Sequence, residues 1–195
     1  MRGGDIAQHL PSTLFGGHSA AMNHALLSLL RAFAGICTFQ RAPQDIPPSS
    51  ALLALTTVGY LALSMMVYGL LSPIAHPLVK AVVEIAVFFA VTCTLLFVMS
   101  YGRRLLQTLT ALMGCGTLIA GVGLLAMVLA RVLPRELSLA ILSIIALLNL
   151  LIMAHILRHA LSTWFPVGLL FAFGYERLVN KLFVIADALL GAVPI

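Results

Sequence analysis

From Ser50 to Leu71 the chain carries no charged side chain. At 1.5 Å of rise per residue, a helix of that length crosses the ~30 Å hydrocarbon core of a bilayer. Further apolar stretches succeed it almost to the end of the chain. This run limits what the chain can fold into more than any other feature.

Composition supports the same conclusion. Of 195 residues, 62% are hydrophobic and 9% charged, against about 25% charged in a soluble domain. Eleven Lys or Arg and six Asp or Glu cannot cover a soluble fold with polar surface. A soluble enzyme and a soluble binding module are excluded, and so is a disordered chain, which needs low hydrophobicity and high charge. The net charge of +5 does not point to nucleic acid. The basic residues stand singly, apart from Arg103-Arg104, mostly at the ends of apolar runs. There they act as topology signals and contacts to anionic lipid.

The expected fold is all-α: a polytopic membrane protein of four or five transmembrane helices behind an interfacial N-terminal helix. Residues 1–18 are polar, Gly-rich and aperiodic, which predicts little order. They lack the compact apolar core of a signal peptide. In residues 19–39, Met22, Leu26, Leu29, Leu30, Phe33, Ile36 and Cys37 fall near one stripe. That predicts an amphipathic helix, either in the membrane interface or packed on the spans. The link Phe39-Gln40-Arg41-Ala42-Pro43-Gln44-Asp45-Ile46-Pro47-Pro48 is too proline-rich for a helix. Ser49 or Ser50 is suited to cap the first span. Spans are expected at about 50–71, 78–101, 105–130, 137–159 and 164–186. Pro166 suits the first turn of the last helix.

The last segment is the most polar. A full span there places Glu176 near its centre, at a cost of at least about 2.5 kcal/mol for an isolated charge. Glu176 and Asn180 share a face, as do Arg177 and Lys181. The segment either turns its polar face into the bundle or surfaces near Tyr175. The former is the expectation. Arg31, Arg41, Arg103, Arg104 and Arg158 lie on the N-terminal side, with Lys80, Arg131 and Arg135 opposite. This bias puts the N-terminus in the cytoplasm.

Few residues could carry chemistry. Lys80 and Glu84 stand one turn apart at the start of the second span, where they can pair. An acidic residue within a span is by default a functional candidate. His155 and His159 share a helix face at the spacing that lets two imidazoles reach one metal. A zinc or haem site would need further ligands, for example Glu84, His76 or Glu176. The plainer alternative is that Arg158 and the two histidines anchor the span end among headgroups. Glu84, Lys80, His155, Arg158, His159, Glu176 and Asn180 thus form a possible polar network inside the membrane. Gly116 with Ala120, and Thr117 with Gly121, give the third span a small-residue face that lets a neighbouring helix approach closely. Cys37, Cys93 and Cys115 form no redox or zinc spacing and read as small apolar residues. No nucleotide-binding, hydrolase or haem-attachment motif is present. No enzyme activity and no cofactor is therefore expected.

The link Phe39 to Ser50 together with Ala154-His155-Ile156-Leu157-Arg158-His159-Ala160-Leu161 resembles a group of small proteobacterial inner-membrane proteins. The span count is also loosely similar to the five-span Yip family, whose acidic-proline-tyrosine motif this chain lacks. The resemblance implies a bacterial inner-membrane location and no particular activity.

The sequence thus supports a non-enzymatic accessory, scaffold or assembly component that associates with a membrane partner or a second copy. A small oligomeric transporter or channel is the alternative, with Glu84, His155, Arg158, His159 and Glu176 along a polar path. A metal or haem protein using His155 and His159 is the third.

Overall fold

A computed structural model of the chain describes residues 27–71 and 76–191. They form six helices: α1 (Leu27–Cys37), α2 (Ser50–Leu71), α3 (Pro77–Val98), α4 (Leu105–Leu129), α5 (Arg135–Ala160) and α6 (Phe165–Gly191). No strand occurs among the described residues. Helices satisfy their own backbone groups, which a bilayer requires of any segment crossing it. Four of them, α2 to α5, are long and apolar enough to cross a membrane. The chain is a multi-pass membrane protein.

The ends of the spans obey local rules. The Ser49 hydroxyl accepts the Leu52 N–H at 3.3 Å and so caps α2, as its position predicts. Pro77 opens α3, and Pro134 precedes α5. The second span stops at Val98, a few residues before its expected end. Ser100 turns left-handed there (φ 63°), and its N–H reaches Phe97 O while the Tyr101 N–H reaches Leu96 O at 2.7 Å. The same closing pattern ends α1 at Phe39 (φ 62°) and α5 at Ser162 (φ 52°). It is a Schellman motif with no glycine at its left-handed position. All three lie at the end of the bundle that holds the link.

The core is built around α4, whose residues from Thr108 to Cys115 are all buried. The most extensive helix contacts join α2 to α4 and α5 to α6. Phe33 and Ile36 of α1 are buried in this core, so α1 packs on the spans. An added Cβ at Gly114 would collide with the Phe33 ring. The residues before Leu27, including those expected to be poorly ordered, lie outside the described part. Large apolar side chains face outward along the spans, among them Leu55, Val58, Leu125, Ile144 and Leu147. Water would penalise such a surface and lipid does not.

The last helix is one unbroken element of 27 residues. It has the length of a fifth span, but Glu176, Arg177, Lys181 and Asp187 interrupt its apolar sequence. Its apolar face, Ala172, Tyr175 and Val179, is buried. Gly168 seats it directly on the backbone of α5 at Ala154 and Arg158. The polar stripe does not turn inward as a unit. Glu176 is half-buried, whereas Arg177, Asn180 and Lys181 are exposed. Packing of the Ala172–Tyr175–Val179 stripe fixes the rotation of the helix and leaves Asn180 outside.

Candidate functional site

Glu84 stands in the second turn of α3 and faces α2. Its Oε1 accepts the Tyr60 hydroxyl and its Oε2 the Tyr68 hydroxyl, each at 2.9 Å. Tyr175 of α6 donates to the Glu84 backbone carbonyl at 3.3 Å, and its ring lies 4.2 Å from that of Phe88. Helices α2 and α6 thus both bond to Glu84, α2 at its carboxyl group and α6 at its backbone carbonyl. The spacing of Lys80 and Glu84 predicts a pair, but both carboxyl oxygens are taken by tyrosines. Lys80 is buried, with its Nζ 5.5 Å above the Phe183 ring. No cation of the described residues lies within 4 Å of Glu84.

The carboxyl group borders two cavities. The larger, about 280 Å³, is a partly open cleft lined by α2 to α5. Tyr60, Tyr68, Glu84 and Asn149 form its polar head. The rest of its lining includes the apolar Met127, Leu142 and Ile145 together with Gly123. The smaller, about 20 Å³, lies between Tyr60, Glu84, Asn149, Tyr175 and Glu176. That is about the space needed to hold one water, and the polar lining can bind it. Two carboxyl groups therefore border one small cavity near the middle of the bundle.

The small-residue face of α4 makes this approach possible. A Cβ at Gly116 would fall 2.8 Å from Tyr60 Cε2, so only glycine lets the ring lie flat against α4. Thr117 donates to Met113 O at 2.7 Å and reaches Thr56 O of α2 at 3.2 Å. Gly121 faces Leu63, and Ala120 lines the large cavity. The face expected to receive a neighbouring helix receives α2 of the same chain.

No family model matches the chain. No curated protein and no solved structure matches it either.

His155, Arg158 and His159 belong to a second cluster, at the link end of α5. The buried His155 ring donates from Nε2 to Arg41 O at 3.1 Å, since a carbonyl can only accept. Phe39 packs edge-on against that ring at 5.0 Å. The Arg158 guanidinium reaches His159 Nε2 at 3.2 Å, which makes that nitrogen an acceptor. The two imidazoles stand 4.7 Å apart, edge to face, with each Nε2 already engaged. Among the described residues no three His, Cys, Asp or Glu side chains converge as metal ligands.

This cluster fastens the proline-rich link across the bundle end. Gln44 donates to His159 O at 3.0 Å, and Gln107 donates to Ile46 O at 2.9 Å. Pro43 and Ile46 are buried beneath it. Arg104 donates to His159 O, Ala160 O and Ser162 Oγ. It thereby caps carbonyls at the end of α5 where a cation also suits the helix dipole. The polar path expected from the sequence is therefore two separate sites: Glu84 with Glu176 in the bundle, and His155, Arg158 and His159 at the link.

The tyrosines are the residues of this site that a search for charged side chains and histidines misses. Tyr60 and Tyr68 are recognisable in sequence as span hydroxyls in need of partners. Their common partner, on a different helix, is not.

Proposed function

We propose that the chain is a small carrier of the bacterial inner membrane, with a cytoplasmic N-terminus, in which Glu84 exchanges a proton for the charge of its substrate. The observation that carries this reading is the Glu84 carboxyl group. It stands in a span, takes two tyrosine hydroxyls and no cation of the described residues, and borders a cavity large enough for a small molecule. A carboxylate left without a counter-ion in the membrane is costly. A proton or a cation entering the cavity relieves that cost, so the two compete for one site. Each turnover then moves one proton off Glu84 for each monovalent cation that takes its place.

Asn149 and Glu176 assist as hydrogen-bonding groups beside the small cavity. The His155 cluster holds the link and has no part in the exchange. The scaffold reading rests on the small-residue face of α4, and α2 occupies that face. The location is supported by the resemblance of the link and the Ala154–Leu161 stretch to proteobacterial inner-membrane proteins. The orientation is supported by the arginines at the link end.

The test is proton flux in proteoliposomes with a pH-sensitive dye inside. Under an imposed pH gradient, a panel of organic and inorganic cations is added outside. At least one class should drive proton movement in the native protein and none in Glu84→Gln. Equal flux in the two proteins for every cation would overturn the reading.

A further inference from the structure

The larger cavity has a polar head and an apolar body, and that division specifies a ligand. The Glu84 carboxyl group and the Asn149 amide stand at the head, with the Tyr60 and Tyr68 rings beside them. The Ser64 side chain hydrogen-bonds Tyr60 and belongs to the same polar group, and the remaining lining includes the apolar Val67, Ile119, Met127, Leu142 and Ile145. A hard metal cation asks for six or more oxygen ligands, and this lining offers few. An anion meets a carboxylate with no cation of the described residues within 4 Å. A wholly apolar molecule leaves the carboxyl and the amide without partners. The volume, about 280 Å³, falls at the small end of small-molecule sites.

We infer that the cavity binds a small organic ammonium ion with an apolar, preferably aromatic, body. The ammonium meets Glu84 in a charge-assisted hydrogen bond and the adjoining tyrosine rings through their π faces. The body lies along α4 and α5 past Gly123. This rests on the carrier reading and names its substrate class. An added Cβ at Gly123 would meet nothing within 4 Å, so a larger side chain there fills the cavity without displacing a helix.

The experiment is calorimetric titration of the full chain in mild detergent. 2-Phenylethylamine, charged at neutral pH, is the probe, and 2-phenylethanol is its uncharged analogue. The amine should bind at least about tenfold more tightly than the alcohol. Glu84→Gln and Gly123→Val should each weaken the amine by at least about tenfold. Equal binding of amine and alcohol to the native protein would overturn the inference, as would no measurable binding of the amine. The alcohol comparison needs no variant, so it holds even if Glu84→Gln fails to fold. Cation-driven proton flux without amine binding would refute the substrate class and leave the carrier intact. Absence of both would refute the carrier reading as well.

Discussion

The ring of Phe33 occupies the volume that a side chain at Gly114 would need. This one contact joins α1 to the centre of α4. Cys115 adds a weak donor to Phe33 O at 3.7 Å. An amphipathic helix that could have lain alone in the interface is thereby part of the core.

Gly114→Ala should therefore destabilise the protein by about 1–3 kcal/mol through overpacking. Gly174→Ala on α6 has open space around it and should be neutral or gain up to about 1 kcal/mol from helix propensity. Thermal unfolding in detergent compares the two. Equal stability of both variants would contradict the docking of α1.

The link should loosen when its clamp is removed. His155→Ala deletes the donor to Arg41 O and the ring under Phe39. Trypsin should then cut after Arg41 several-fold faster than in the native protein. Cleavage at Arg103, exposed in a different turn, should be unchanged. An unaltered rate at Arg41 would show that Gln44 and Gln107 hold the link without His155.

Ser100 closes α3 in a left-handed conformation that costs a non-glycine residue about 1–2 kcal/mol. Ser100→Gly should raise stability by about 1 kcal/mol. A drop in the unfolding midpoint would mean that the serine side chain contributes more than its backbone costs.

Tyr60→Phe and Tyr68→Phe each remove one hydroxyl from the Glu84 carboxyl group. A hydrogen bond to a charged group contributes about 1.5–3 kcal/mol, and one between neutral groups about 0.5–1.5 kcal/mol. At alkaline pH, where Glu84 is ionised, each substitution should therefore cost more in the native background than in Glu84→Gln. Denaturant titration of the double-mutant cycle measures the difference. A zero coupling energy would contradict the tyrosine–carboxyl contacts.

Most of the helical frame is readable from sequence because a bilayer imposes simple rules. Uncharged length sets α2, prolines set the starts of α3 and α5, and Ser49 caps where a serine should. Glu84 stands out because an acid in a span needs an explanation. Its partners do not, since nothing in one sequence says that position 60 faces position 84. The spacing of Lys80 and Glu84 points to a local pair, and tyrosines from another helix take its place. His155 misleads in a similar way. Its spacing to His159 suggests a metal, while its actual partner is a backbone carbonyl, which side-chain patterns do not reveal. Helical spacing puts Asn180 inward with Glu176, but the burial of Tyr175 and Val179 turns it outward.

In the proposed carrier, Glu84 gives up and takes back a proton from within the membrane. Infrared difference spectroscopy tests it directly, by tracking the protonated carboxyl C=O stretch as the pH of the reconstituted protein is varied. A band should grow as pH falls, shrink when a binding cation is added, and be missing from Glu84→Gln. A native spectrum with no band dependent on Glu84 at any pH would contradict it.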